Sequence, residues 1–357
     1  MTSGHALLDD LPDMQGLDPH GMLRHIAGLP NQCQQSWAET ADWRLPAALT
    51  HPSHLVVAGM GGSAIGGDLL RTWAEPVCPV PITVARGYTL PASVGPSTLV
   101  VASSYSGGTE ETLAAFADGL RRGARMVAVT CGGPLQTAAA AAGAPWLPIR
   151  YPSAPRAALG ASLAALLRIA HEASLIASPQ ADLTEAIDEM TALQEEIGAA
   201  TPLAANPAKQ LAAALHGHTA VIVGAAHLRE VARRWKGQIN ENAKAWAFFD
   251  EMPEMNHNSV MAYESLPAVN SSVAVVFLTA AGEHPRHGIR CGATASLLER
   301  YGIAHYTVAA RGRSTLAQML TALHFGDYVS FYLAMLYGQD PTDIGTISYI
   351  KDVLAKN

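Results

Sequence analysis

Short apolar runs alternate with longer amphipathic stretches along the first half of the chain. The stretches between the runs show helical spacing of apolar positions over about ten residues or more. This alternation is typical of βαβ units and predicts a parallel sheet. The predicted strands are Leu55–Ala58, Ile82–Ala85, Thr98–Ser103 and Arg125–Thr130, and the predicted helices are Ser63–Trp73, Thr109–Arg121 and an alanine-rich segment that ends at Gly143.

A long helical stretch, from about Pro155 to Gly198, separates this pattern from a second copy of it. The segments LVVAGMGGSAIGGDLL (55–70) and AVIVGAAHLREVARRW (220–235) both have the order strand, glycine, helix. Such self-similarity predicts a weak internal repeat. The second copy has strands at Thr219–Val223, Val273–Thr279 and His305–Val308, a helix with Leu228, Val231, Trp235 and Ile239 on one face, and helices at Gly288–Tyr301, Ser314–Tyr337 and Ile344–Ala355.

We therefore expect an α/β fold with two doubly wound parallel-sheet domains related by this repeat. The expected organisation is a helical lead-in over residues 1–50, a first sheet domain over 51–154, connecting helices over 155–200 and a second sheet domain over 201–357. Open α/β sheets bind ligands beyond the carboxyl ends of their strands. The loops that follow the predicted strands are therefore where we expect the chemistry.

Composition narrows the classes of function. The 357 residues are 49% hydrophobic and 15% charged with a formal net charge of −7, which excludes disorder and shows no basic stripe for nucleic acid. No apolar run approaches the roughly 18 residues of a membrane span, and the acidic N-terminal stretch is unlike a secretory signal. The four cysteines form no CxxC pair, which favours a reducing cytoplasm and predicts no structural zinc.

Two loops of the first half have the residue types of a phosphate site. GMGGSA (59–64) and SSYSGGTEET (103–112) each leave a strand and open a helix. Glycine lets the backbone approach an oxyanion, the helix N-terminus offers unpaired N–H groups, and hydroxyl side chains add donors. The same residues cap helices without a ligand, so one such loop is ambiguous. Two such loops on successive units of one sheet face the same crevice, which favours a bound phosphate.

The first loop also matches G-x-G-x-x-A, the dinucleotide-binding pattern. That pattern expects an acidic residue at the end of the next strand, where this chain has Arg86. An arginine there can meet a 2′-phosphate, so an NADP-dependent oxidoreductase is an alternative. A single phosphomonoester held by Ser104, Ser106 and Thr109 better explains the hydroxyl-rich second loop. No lysine follows the glycines as it would in a nucleoside triphosphate loop.

Glu241 and His257 are the candidate acid–base residues of the second half. Glu241 lies in QINENAK (238–244), off the apolar stripe of its helix, and a solvated helix face is the plainer interpretation. His257 lies between two asparagines in MNHN (255–258), which could fix its tautomer or simply form turns. No set of three metal ligands is close in the sequence, so no metal site is predicted.

Two cationic residues, Arg156 and Lys351, are the remaining candidates for the functional site. Arg156 follows Pro155, which suits the first turn of a helix, and a cation at that place suggests an anionic partner. Lys351 lies in the last predicted helix at the flank of its apolar stripe. A lysine stem that covers apolar surface is the plainer interpretation there.

Together these segments resemble sugar isomerase (SIS) domains and, more closely, the bifunctional phosphoglucose/phosphomannose isomerase family of bacteria and archaea. Two positions depart from the family pattern, because Ser259 stands where an acid usually follows NHN and Ala154 stands where glycine often precedes the proline. The matching stretches are GMGGSAIGGD (59–68), SYSGGTEET (104–112), PRAALG (155–160), QINENAK (238–244), MNHN (255–258) and DPTDIGTISYIKDVL (340–354).

The resemblance implies roles for particular residues. It implies a phosphate held by Gly62, Ser63, Ser104, Ser106 and Thr109, a catalytic glutamate at Glu241, a ring-opening histidine at His257 supplied by the partner subunit, and supporting cations at Arg156 and Lys351.

The resemblance also implies an activity. An enzyme of this family would interconvert glucose 6-phosphate, and also mannose 6-phosphate, with fructose 6-phosphate by proton transfer through an enediolate. It would act as a homodimer and require neither a metal nor a redox cofactor. One alternative is a non-catalytic sugar-phosphate-binding regulator, which would usually carry an added basic helix-turn-helix. The others are the NADP-dependent oxidoreductase and a relative that acts on another phosphosugar, such as a ketopentose or hexulose phosphate.

Overall fold

The computed structural model describes residues 5–356. The chain divides into two compact units, which do not follow chain order. The first-sheet unit comprises residues 28–190 and 312–319. The second-sheet unit comprises the described residues up to Ala27, residues 191–311 and residues from Leu320 onward. The segment 1–50 is thus divided between the two units.

The described residues form two sheets in which every strand pairing is parallel. The strands are β1 (His54–Gly59), β2 (Ile82–Ala85), β3 (Thr98–Ser103), β4 (Arg125–Thr130), β5 (Trp146–Pro148), β6 (Thr219–Ala225), β7 (Ala247–Met252), β8 (Val273–Thr279) and β9 (Ala304–Ala309).

Helices flank the strands of both sheets and also occupy both ends of the chain. They are α1 (Leu11–Leu17), α2 (Met22–Ala27), α3 (Leu29–Glu39), α4 (Gly61–Ala74), α5 (Glu110–Arg121), α6 (Gly133–Ala141), α7 (Leu159–Glu172), α8 (Gln180–Ile197), α9 (Pro207–Leu215), α10 (Arg229–Ala243), α11 (Pro267–Asn270), α12 (Pro285–Arg300), α13 (Thr315–Leu336) and α14 (Gly345–Leu354).

The first sheet has the strand order β2-β1-β3-β4-β5. This order reverses between β1 and β3, which is the switch point where doubly wound sheets bind ligands. Gly59 at the end of β1 is registered with Ser103 at the end of β3, so the two phosphate loops leave the sheet side by side. Buried Val100, Phe116 and Met126 belong to the core against this sheet.

The second sheet has the order β7-β6-β8-β9, which repeats the order of the first four strands of the first sheet. Its core includes Val223, Met252, Phe277 and Leu298, all buried. The shared order confirms the predicted fold class of two doubly wound parallel sheets related by a repeat. Within residues 5–356, no helix has the length and apolar content needed to cross a membrane.

The sequence pattern did not predict strands β5 and β7, helix α9 or one break in a predicted helix. β5 is only three residues long, and β7 carries the sequence AFFDEM, whose charges obscure the strand pattern. The stretch predicted as helical from Pro155 to Gly198 is interrupted between α7 and α8. Ser174 there adopts a left-handed φ of 63°, and Pro179 directly precedes α8, so one continuous helix is impossible.

Candidate functional site

The two predicted phosphate loops contact each other. The backbone N–H of Tyr105 in the second loop donates to Ser63 Oγ in the first loop at 3.1 Å. Within the second loop, Ser104 Oγ donates to Thr109 Oγ1 at 2.9 Å. Ser63 and Ser104 are buried, whereas Ser106 is exposed at the rim and accepts the Gly108 N–H at 3.3 Å. The fold therefore gathers the predicted hydroxyl groups in one place.

The backbone of these loops is suited to an anion. α4 begins at Gly61 and α5 at Glu110, and neither helix has a side chain capping its first N–H groups. Gly107 has a left-handed φ of 69°, and a Cβ there would collide with the Gly132 carbonyl oxygen. The tight second loop thus requires glycine at this position.

Arg156 lies directly beside the first loop. It occupies a 3₁₀ turn, Pro155–Ala157, and is only 4% exposed. A Cβ built on Gly62 would lie 2.9 Å from the Pro155 carbonyl oxygen and 3.0 Å from Arg156 Cα. Gln32 on α3 holds the turn from behind, since its Nε2 donates to the Ala157 carbonyl at 2.9 Å. The backbone that carries the buried Arg156 and the two predicted phosphate loops therefore lie together within the first-sheet unit.

Arg86 has a structural partner. Its guanidinium pairs with the carboxylate of Asp68 on α4, and one of the two contacts, Nη1 to Oδ1, measures 3.3 Å. Asp68 is buried, and a buried carboxylate requires such a cation. The pairing supplies a structural reason for Arg86, so the NADP alternative loses the residue on which it depended.

Helix α10 carries Glu241 and is held firmly against α13. The ring of Trp235 stacks on Phe325, and its Nε1–H donates to the Ala322 carbonyl at 2.9 Å. Gly326 lies under the same ring, where any Cβ would collide with the indole. A buried ion pair between Arg234 and Asp327, at 3.1 Å, adds a second connection.

The C-terminal end of α10 presents Glu241 to a cavity of about 540 Å³. Both neighbouring asparagines bond to the protein: Asn242 donates to Ser330 Oγ at 2.9 Å and Asn240 donates to the Ala245 carbonyl at 2.8 Å. Glu241 itself is half-buried. The cavity is also lined by Asn240, Lys244, Trp246, Asp343, Thr346 and Ile347.

Sequence reasoning assigned no role to Lys244, which ends α10 in a left-handed conformation with a φ of 54°. Its Nζ donates to the Glu241 carbonyl at 2.7 Å and to the Asp340 carbonyl at 2.7 Å. The lysine thereby ties the glutamate helix to the loop before α14. Its place at the end of the QINENAK motif was the one available signal, and that signal is too weak to identify such a tether.

Glu241 and His257 lie near opposite ends of strand β7 of the second sheet. α10 ends where β7 begins, whereas His257 lies in the 3₁₀ turn that follows the end of β7. Five residue steps of about 3.3 Å separate Ala247 from Met252, so about 17 Å of strand lies between the two residues. We expected the catalytic residues to lie at the carboxyl ends of the strands of both sheets. Glu241 lies instead near the amino end of β7.

The segment around His257 is well supported although the histidine is exposed. Asn256 Nδ2 donates to Thr294 Oγ1 at 2.9 Å, and its Oδ1 accepts from Arg290 at 3.2 Å. Ser259, which departs from the family pattern, donates through its hydroxyl to the Asp250 carboxylate. The neighbouring strand β7 thus supplies a carboxylate next to position 259, where the family pattern usually has an acid.

Comparison with known proteins agrees with this architecture. Residues 204–354 match the family model of the bacterial phospho-glucose isomerase C-terminal SIS domain. The chain is 37% identical to the bifunctional phosphoglucose/phosphomannose isomerase of Caldicellulosiruptor bescii, over 94% of this chain and 99% of that protein. It is 33% identical to the protein of the same name from Aquifex aeolicus, over 87% of this chain and 92% of that one. The chain belongs to the bifunctional phosphoglucose/phosphomannose isomerase family.

The fold of this isomerase family member is also found among solved structures. A hypothetical protein of Thermus thermophilus superposes with a TM-score of 0.77 and 18% identity, and the match covers 98% of this chain and 94% of that one. At this identity the likeness concerns the fold alone.

Lys351 of this family member lies on an exposed helix. No residue of α14 is buried within the described chain, and Lys351 itself is exposed. The apolar stripe expected to be covered is therefore open to solvent in the single chain. Its exposed apolar residues, between 40% and 67% exposed, are Ile347, Tyr349, Ile350, Val353 and Leu354.

Proposed function

We propose that this protein is an aldose–ketose isomerase that interconverts glucose 6-phosphate and mannose 6-phosphate with fructose 6-phosphate. The observation that carries the proposal is the match to relatives named bifunctional phosphoglucose/phosphomannose isomerase along 94% of the chain. The meeting of the phosphate loops beside Arg156 supports the same conclusion.

The phosphate of the substrate would bind to the two loops of the first-sheet unit. The α4 N-terminus with Gly62 and Ser63 and the loop of Ser104, Ser106 and Thr109 offer backbone N–H groups and hydroxyls at the switch point of the sheet. Binding energy from this remote phosphate positions the reacting carbons.

Glu241 would transfer the proton. Its carboxylate takes the proton from C2 of the open-chain aldose and returns it to C1, and the carbonyl becomes a hydroxyl as the C2 hydroxyl becomes the carbonyl. The intermediate between the two transfers is an enediolate, whose negative charge requires a fixed cation. Arg156 is suited to that role because a guanidinium stays protonated. The reaction moves protons only, so it requires no redox cofactor.

His257 would open the sugar ring, assisted by Lys351, and would do so across a homodimer interface. An imidazole can give and accept a proton near neutral pH, which ring opening requires. The length of β7 between Glu241 and His257 supports a histidine from the partner subunit, because both residues of one chain would not reach one sugar. The exposed apolar residues of α14 support a partner that covers them.

A coupled assay with glucose, mannose and fructose 6-phosphates tests the proposal. We expect fructose 6-phosphate to be formed from both aldoses, and each aldose to be formed from fructose 6-phosphate. Tight binding of the sugar phosphates without turnover would favour the regulator instead. Fluorescence titration with NADPH, which should show no saturable binding, tests the remaining alternative.

A further inference from the structure

Tyr105 connects three segments of the first-sheet unit. Its N–H donates to Ser63 Oγ in the first phosphate loop at 3.1 Å. Its carbonyl accepts the N–H of Cys131, after β4, at 3.0 Å. Its side chain reaches a third segment, where Oη donates to the Tyr151 carbonyl at 2.7 Å and accepts the Ser153 N–H at 2.8 Å. None of the motif comparisons in the sequence assigned this tyrosine a role.

The third segment leads directly to Arg156. Only Ala154 and Pro155 separate Ser153 from the arginine: Ala154 directly precedes its 3₁₀ turn and Pro155 is the first residue of that turn. A hydroxyl that bonds both a carbonyl and an N–H two residues apart restrains the path of the backbone between them. The phenol of Tyr105 thus holds the chain that carries Arg156, from within the loop that carries the phosphate hydroxyls.

We infer that Tyr105 is a positioning residue that fixes Arg156 relative to the bound phosphate. The inference rests on the proposed function, in which Arg156 faces the enediolate. A cation that stabilises charge only in the transition state must be held in place before the reaction, because small misplacements cost large factors in rate. In the proposed site the phosphate is held by the two loops and not by the Tyr105 hydroxyl, so we expect loss of that hydroxyl to affect turnover and not binding.

Tyr105→Phe tests this inference by removing one oxygen atom. We expect kcat to fall about 10-fold while KM for fructose 6-phosphate changes by less than about twofold. Tyr301→Phe is the matched control, because that hydroxyl donates to Glu264 at 3.4 Å on the surface of the second-sheet unit, and its kinetics should equal those of the unaltered enzyme. An unchanged kcat in Tyr105→Phe, or a raised KM with kcat retained, would overturn the inference.

A double-mutant cycle separates positioning from a general structural effect. In an Arg156→Ala background there is no guanidinium left to position, so Tyr105→Phe should change the residual kcat by less than about twofold. An equal loss in both backgrounds would show that Tyr105 does not act through Arg156. If the unaltered enzyme isomerises none of the three hexose phosphates, the proposed function fails rather than this inference.

Hydrogen exchange in the unaltered protein keeps the inference testable even if Tyr105→Phe folds poorly. The Ser153 amide should exchange slowly because Tyr105 Oη accepts its N–H. Exchange of Ser153 at the rate of an unprotected loop amide would mean that the hydrogen bond does not restrain the segment.

Discussion

At the scale of single residues, Asn240, Glu241 and Asn242 show that neighbours in sequence can have different roles. The side-chain amides of Asn240 and Asn242 donate to the Ala245 carbonyl and to Ser330 Oγ. These hydrogen bonds hold the end of α10 in place. Glu241 lies between them and lines the cavity. The two asparagines stabilise the end of α10, and in the proposed mechanism the Glu241 carboxylate transfers the proton.

Glu241→Gln should therefore separate catalysis from binding. The amide is similar in shape but cannot take a proton from carbon, so we expect kcat to fall by about 10² to 10⁴-fold. Affinity for a non-reacting sugar-phosphate analogue should change little, as measured by calorimetry. Glu299→Gln, on the surface with its side chain 71% exposed, is the control and should retain full turnover. Normal turnover by Glu241→Gln would remove the base from the mechanism.

At the scale of elements, the contact of α10 with α13 determines where Glu241 lies. Trp235 fits onto α13 only because position 326 has no side chain. Close packing of this kind transmits any change of volume to the helix backbone. The glutamate is thus positioned by a contact about two turns of helix away from it.

Gly326→Ala should consequently destabilise the protein and impair turnover together. The added methyl overlaps the indole of Trp235, and overpacking of this kind costs about 1–3 kcal/mol in the free energy of unfolding. Gly237→Ala, in α10, is the matched control: a Cβ there meets no described atom within 4 Å, and alanine stabilises a helix interior by about 0.5–1 kcal/mol. Denaturant unfolding of each variant measures its free energy of unfolding, and an activity assay measures its turnover. Equal stability of the two variants would contradict the packing argument.

At the scale of the whole molecule, the proposed mechanism requires a dimer, because Glu241 and His257 of one chain are separated by the length of β7. If the histidine comes from the partner subunit, a dimer of one Glu241→Gln chain and one His257→Ala chain contains one site with both residues intact. Random mixing of the two inactive proteins should then restore about a quarter of full activity, because half of the dimers are hybrids with one of two sites intact. Mixtures as inactive as their components would mean that both residues act within one chain.

Acid stability is a second property of the whole molecule. Burial lowers the pKa of His324 in α13 to about 3, and neither ring nitrogen has a hydrogen-bond partner among the described residues. Between about pH 6.5 and 3 the unfolded chain binds a proton at this histidine that the folded chain does not, so stability falls as the pH falls through that window.

His324→Leu removes this contribution. We expect the free energy of unfolding to decline less steeply for the variant than for the unaltered protein between pH 7 and pH 5, as measured by urea unfolding at each pH. Parallel declines in the two proteins would show that His324 is not a source of the acid sensitivity.

The apolar pattern was sufficient to predict most of both sheets. β3, β4 and β8 have the bounds that the pattern predicted, because strands buried on both faces read as continuous apolar runs. β7 was missed because it is an edge strand with charged residues at Asp250 and Glu251. Loop chemistry likewise predicted that the hydroxyls near Ser63 and Ser104 lie together, because both loops follow strands on successive units of one sheet.

What the sequence determined by itself was the class of fold, the family and the residue types of the site, because these depend on periodicity and on short motifs. Tertiary structure decided which of those residues meet. It placed Arg156 beside Gly62, at the end of a segment that is hydrogen-bonded by Tyr105. It also paired Arg86 with Asp68, and it separated Glu241 from His257 by the length of β7. These relations join positions distant in the chain, and only the packing of helices on the sheets brings such positions together.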